Sequence, residues 1–168
     1  HIMLGYLDTF REGYHPDREV VVRARDRFRE AGLDVAAAIC TVRYGVPGNV
    51  LTGFPCLAHK QTHKELEDMF RFAAERFDTI LIDEYIWSHC QCERCVDAKG
   101  DRTWTEFRCE QVREVCREHV IKPARAMNPN VRLIYKFPAM YEEFARQGQD
   151  IDFACEDFDG IWVGAEVG

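Results

Sequence analysis

Ile80-Leu81-Ile82-Asp83-Glu84 is a strand-like apolar run that ends in two acids, and Cys90, Cys92 and Cys95 follow within a few residues. A hydrophobic strand that delivers carboxylates to its C-terminal end is how α/β enzymes present catalytic groups. A C-x-C-x-x-C cluster just downstream points to a thiolate metal site. Together they predict a metal-stapled loop beside an acidic pocket.

Outward from this run, strands and helices alternate. Ile2 to Asp8 reads as a first strand. Asp17 caps a helix to Glu30, with Val20, Val21, Ala24, Phe28 and Ala31 inward and Gly32 as its stop. Val35 to Val42 reads as a second strand, and the Gly- and Pro-containing segment Gly45 to Pro55 as a long loop. Thr62 with Glu65 reads as a capping box, followed by Leu66, Met69, Phe70, Ala73, Ala74 and Phe77 at helical spacing. Thr79 to Asp83 is the third strand. Thr103 with Glu106 is a second capping box, opening a long helix that Pro123 disturbs. Val131 to Phe137 and Gly160 to Glu166 are the fourth and fifth strands, with a short helix from Met140 to Arg146 between them.

The alternation implies an α/β fold with a parallel sheet and right-handed crossovers. Two architectures fit: a partial (β/α)8 TIM-type barrel of about five βα units, or a five-stranded doubly wound sheet. The barrel is favoured. No Gly-rich turn follows the first strand, where a dinucleotide-binding sheet carries its fingerprint. The chain also stops at Gly168, directly after a strand. On this reading residues 1–168 form a single α/β domain, a piece of a larger barrel, for which ~250 residues are typical. His1-Ile2-Met3 reads as an expression scar. Open sheet edges would make such a piece self-associate.

A chain of 168 residues suffices for one core and not for two ordinary domains. At 46% hydrophobic and 30% charged residues it is globular rather than disordered. A net charge of −7 and the lack of a basic stripe argue against nucleic acid as a partner. No apolar run reaches the ~20 residues of a membrane helix. Of eight cysteines, Cys40, Cys109, Cys116 and Cys155 stand in apolar or helical context and read as core thiols. The 90–95 cluster suits a metal and a reducing compartment, which favours the cytoplasm.

Strand side chains alternate, so Asp83 and Glu84 face opposite ways, one into the mouth of a barrel and one towards a loop. The bland alternative is a buried acid capping the next loop. Asp8 ends the first strand, Lys136 lies near the end of the fourth and Glu166 ends the fifth. Two carboxylates with a lysine make the minimum kit for acid/base hydrolysis of a glycosidic bond. Asp83 and Glu166 are the candidate pair, with Glu84 beside them. Tyr6, Tyr85, Trp87, Tyr135 and Trp162 are candidates to stack on sugar rings, with core packing as the competing fate of each.

A structural zinc takes four ligands in a tetrahedron. Cys90, Cys92 and Cys95 supply three. Cys56, in the loop after the second strand, is the expected fourth, with His89 as its competitor. A closed four-ligand site would be structural, and a three-ligand site with water catalytic. His119, on the apolar face of its helix, reads as a satisfied core histidine.

The stretch Phe77 to Glu84, then Cys90, Cys92 and Cys95, then Lys99-Gly100-Asp101-Arg102 and Asn128-Pro129-Asn130-Val131, resembles a family of bacterial proteins with glycoside-hydrolase-like (β/α) barrels. The resemblance runs from Gly5-Tyr6-Leu7-Asp8 to Gly164-Ala165-Glu166. It implies a barrel and carbohydrate chemistry. Two departures stand out: Asp83-Glu84 replaces an expected pair of aspartates, and Val167-Gly168 replaces an expected threonine and arginine.

The expectation is a glycoside-hydrolase-like barrel acting on a carbohydrate. Asp83, Glu84 and Glu166 would be catalytic, and Asp8, Tyr6, Trp87 and Lys136 would bind substrate. A structural zinc would be held by Cys56, Cys90, Cys92 and Cys95. A non-catalytic zinc-stabilised module that binds a carbohydrate or a protein, and a zinc-dependent hydrolase, are the alternatives.

Overall fold

Five strands run parallel in the order in which they occur in the sequence. The computed structural model describes residues 2–4, 17–41, 55–83, 86–138 and 144–164. The strands are β1 (Ile2–Leu4), β2 (Val35–Cys40), β3 (Thr79–Asp83), β4 (Arg132–Pro138) and β5 (Gly160–Gly164). Between them come α1 (Arg18–Glu30), α2 (Lys60–Arg76), α3 (Glu93–Lys99), α4 (Trp104–Cys116), α5 (Lys122–Met127) and α6 (Ile151–Asp157). A π-helical turn, Arg117–Ile121, joins α4 to α5.

Register shows which side of the sheet is the core. Ala37, Ile39, Ile80, Ile82, Leu133, Tyr135 and Phe137 alternate along their strands and belong to one buried cluster. Residues of α1, α2, α4, α5 and α6 fill the same cluster, so these helices cover one face. A doubly wound sheet carries helices on both faces and reverses its strand order at a switch point. The described strands do neither, which corrects the doubly wound alternative. On the other face Ala36, Leu81, Ile134 and Trp162 border an open cavity of ≈ 780 Å³ near the start of the strands.

Caps set several element ends as expected. Asp17 accepts from the Glu19 N–H at the start of α1, and Gly32, at φ 76°, follows its end. Thr103 and Glu106 form the reciprocal capping box of α4. The Thr62–Glu65 box is not formed. Instead α2 starts earlier, with His59 as its cap accepting from the Gln61 N–H through Nδ1, and Thr62 is buried in the first turn. Val20 and Ala31, expected inward on α1, are exposed. Helix α6 was not foreseen. Asp150 caps it, accepting from the Asp152 and Phe153 N–H groups, and it buries Phe153 and Ala154.

Pro123 has the disturbing effect expected of it. Having no N–H, it cannot continue an α-helical ladder. The chain meets it with the wider π-turn, in which the Lys122 N–H bonds Arg117 O. His119, within that turn, shares a hydrogen bond of 2.7 Å between Nδ1 and Glu67 Oε1 and stacks on His63 at 4.1 Å. Its polar edge is thus satisfied.

Candidate functional site

Asp83 is the last residue of β3 and lies on the face away from the helices, since Ile80 and Ile82 occupy the helix-side face. β3 pairs with β4, Ile82 opposite Tyr135, which brings Lys136 alongside. Lys136 Nζ donates to Asp83 Oδ1 at 2.9 Å. The pair is largely withdrawn from solvent, with 6% of the lysine and 17% of the aspartate side chain exposed. Lys136 is in register with Trp162 of β5, and its ammonium lies 5.5 Å from the indole centroid. Trp162 itself is 41% exposed. Three neighbouring strands therefore bring an acid at the end of β3, a cation of β4 and an accessible aromatic ring in the middle of β5 together on one face. The ≈ 780 Å³ cavity lies on the same face but towards the strand starts, and neither Asp83 nor Lys136 lines it.

The other candidates fare differently. Tyr135 is core: its hydroxyl is buried and donates to Gln149 Oε1 at 3.0 Å. Trp87 stacks one face on Phe144 at 4.7 Å, after the end of β3. Tyr6, Asp8, Glu84, Tyr85 and Glu166 lie outside the described residues.

The cysteines do converge. The ligand-capable atoms of Cys56, Cys90, Cys92 and Cys95 all lie within 4.8 Å of one another. Cys92 is the cap of α3 and Cys95 lies in its first turn, a spacing that brings their sulfurs to 3.8 Å. Cys56 comes from the turn before α2, where its carbonyl accepts from the His59 N–H. Its sulfur lies 3.7 Å from that of Cys92 and 3.6 Å from that of Cys95. The buried Ser88 hydroxyl accepts from the Cys90 N–H and so fixes the loop that carries this thiol.

These separations fit a metal. Four sulfurs ~2.3 Å from a tetrahedral ion stand about 3.8 Å apart, whereas a disulfide requires about 2.05 Å. All four cysteines are free. Electrostatics agree. The Cys92 thiol is lowered to about 7, chiefly by the Cys95 backbone N–H and then by Cys90. Burial pushes Cys56 up to about 11 and Cys95 further. Four thiols so close cannot all ionise without a cation between them. Soft sulfur donors in a tetrahedron suit zinc or iron. Cys56 is the fourth member of the cluster, and His89 is not part of it.

Sequence reasoning passed over Arg108, which is 7% exposed. It donates to Arg146 O at 2.9 Å and His89 O at 3.4 Å, bracketing the cysteine loop from α4. The signal was available: Trp104, Arg108, Val112 and Val115 share helical spacing, which puts an arginine on an otherwise apolar stripe.

Residues 1–168 match the family described as "Probable glycosyl hydrolase, catalytic domain". An uncharacterized protein of Saccharolobus solfataricus is 25% identical over 187 residues, spanning 96% of this chain and 31% of that protein. Among solved structures, a beta-galactosidase from Rahnella sp. R3 superposes with a TM-score of 0.66 at 14% identity, over 92% of this chain and 32% of that one. The likeness to the beta-galactosidase is one of fold. The chain thus spans about a third of the length of the relatives it matches. By the match along its whole length, the chain belongs to the family of probable glycosyl hydrolase catalytic domains.

Proposed function

We propose that this chain forms five βα units of a (β/α)8 barrel that hydrolyses a glycosidic bond in a carbohydrate, with Asp83 in the active-site mouth and a structural zinc on its rim. The observation that carries the reading is the Asp83–Lys136 pair towards the C-terminal ends of β3 and β4, with Trp162 of β5 beside it. That end of a parallel barrel is where active sites form. Sequential strand order with helices on one face supports the barrel. In this reading residues 1–168 are one domain of a larger barrel, and light scattering on the isolated chain should find it self-associated.

Within that mouth Asp83, bonded to an ammonium, serves as an acceptor: a base, a nucleophile or a partner for sugar hydroxyls. Glu84 and Glu166 are the proposed proton donors. Tyr6, Asp8 and Trp87 would add to the substrate wall. The exposed Trp162 offers a flat apolar face of the kind on which sugar rings stack.

Four converging thiols leave no ligand position for water, which favours a structural metal over a catalytic one. The zinc-dependent hydrolase reading therefore receives no support.

Hydrolysis of a panel of chromogenic aryl glycosides by the wild type and by Asp83→Asn tests the proposal. Turnover lost at least ~100-fold in the variant supports it. Turnover equal in both removes Asp83 from the mechanism. Saturable sugar binding without turnover by the wild type would instead support the non-catalytic module. A second test is the carboxylate separation in a crystal structure. It should be ~5–5.5 Å for a retaining or ~6.5–9.5 Å for an inverting pair.

A further inference from the structure

Arg108 is a buried cation with an unusual set of partners. Its guanidinium packs over Trp104 at 4.7 Å and donates to two backbone carbonyls, those of Arg146 and His89. Among the described residues no carboxylate forms an ion pair with it, and its Nε is buried without a hydrogen-bond partner. Buried charges are normally paired, because the interior solvates them poorly. Neutral carbonyls take up both terminal nitrogens but supply no counter-charge.

The missing negative charge lies next door. His89, whose carbonyl Arg108 holds, directly precedes Cys90. Burial lowers the proton affinity of Arg108, and the groups that oppose this effect are Cys95 and Cys90. Burial holds the free Cys95 thiol back from ionising. As metal ligands both cysteines would be thiolates. Four thiolates around a divalent ion keep a net double negative charge, itself poorly placed in a protein unless a cation is near.

We propose that Arg108 is the counter-cation of the metal centre, a positioning residue whose guanidinium offsets the excess charge of the four-thiolate cluster while its two carbonyl bonds tie the cysteine loop to the segment after β4. This rests on the metal reading above and adds to it the partner that makes the site electrically tolerable. Among the described residues no acid pairs with Arg108, where one would repel the thiolates. Through Arg146 O, metal occupancy is linked to the backbone at residues 144–149, on the neighbouring βα unit.

The test compares zinc affinity, by competition with a chromophoric chelator, in the wild type, Arg108→Gln and Arg108→Lys. Gln keeps donors for the carbonyls and loses the charge, and Lys keeps the charge and loses the fork. Arg108→Gln should bind zinc about 10–100-fold more weakly, the usual cost of losing an outer partner of a metal site. Arg108→Lys should recover most of that loss. A purely structural arginine would behave otherwise, with Lys no better than Gln. Equal affinity in wild type and Gln, or Lys as weak as Gln, overturns the inference. If neither variant folds, the wild type serves alone. Chelation of the metal should shift the Arg108 Nε–H resonance and expose it to solvent exchange, and an unchanged resonance overturns the inference. Failure of the wild type to bind any metal is a distinct result, which removes the metal reading and this counter-cation with it.

Discussion

Lys136 Nζ stands 2.9 Å from Asp83 Oδ1, each near the end of its strand and both on the face turned away from the helices. The pair is buried enough that removing one member costs more than the pair itself contributes. Asp83→Asn should lower stability by about 3 kcal/mol, at the low end for a broken buried pair. Lys136→Met alone should cost a similar amount. The double variant should be more stable than the sum of the two losses predicts. Urea unfolding of all four proteins measures the coupling. Additive losses would mean that the two charges act independently.

Gly148 sits with φ 103° against α4, and a Cβ there would come within 2.5 Å of Val112 Cγ2 and 2.7 Å of Arg108 O. A backbone carbonyl cannot yield as a side chain tip can. Gly148→Ala should therefore cost roughly 2–4 kcal/mol from combined clash and strain. Gly100→Ala is the control. It also has a positive φ, 55°, but nothing lies within 4 Å of its Cβ position, so backbone strain remains without any clash. Thermal melts of the two variants should separate clearly. Equal shifts would contradict the close approach.

The thiol cluster should bind about one zinc per chain, as expected of a closed four-ligand site. Elemental analysis of protein purified without chelators checks this. Cys56→Ser, in the turn before α2, should lower metal content as much as Cys92→Ser at the cap of α3, because the sulfurs close one polyhedron. Both variants, and chelated wild type, should melt at lower temperature. Zinc retained in Cys56→Ser would move the fourth ligand elsewhere.

Once the metal is removed, Cys92 should be the thiol of the cluster that alkylates first. It is exposed, and its pKa is lowered to about 7, chiefly by the Cys95 N–H. The thiolate is the nucleophile, so its rate should rise with pH and reach half its maximum near pH 7. Cys56, raised to about 11, should react far more slowly at neutral pH. Peptide mapping after a short iodoacetamide pulse at several pH values measures both. Zinc added beforehand should protect Cys92.

The legible part of this chain was whatever local chemistry dictates. The Ile80–Asp83 run, the Thr103–Glu106 box and the Asp17 cap each carry their own signal, and each forms where expected. Cys56 was found by counting ligands, since a tetrahedron lacking one corner asks for a fourth thiol. What escaped depends on partners distant in sequence. Thr62 and Glu65 have the spacing of a capping box, but His59 caps one turn earlier and Thr62 packs inward instead. Val20 and Val21 both fit the stripe of α1 by periodicity, yet Val21 is buried and Val20 is exposed. His63 and His119 have no recognisable spacing, and only the packing of α2 against the π-turn stacks them. Of the candidate site, Asp83, Lys136 and the thiols were readable. Arg108 was hidden because its use depends on a loop 19 residues before it.

The π-turn at Arg117–Ile121 has a consequence for the helices on either side of it. Such a turn is an α-helix carrying one surplus residue. Wound as regular α-helix with every residue kept, the segment would instead turn everything downstream by about 100°. Pro123 and Ala124, now buried where α5 meets α2, would swing off that contact, and the strand β4 that carries Lys136 would be fed from the wrong angle. The π-turn therefore keeps two halves of one helix in phase: it takes up the surplus residue locally, and Val112, Val115 and Ala124 all stay on the core.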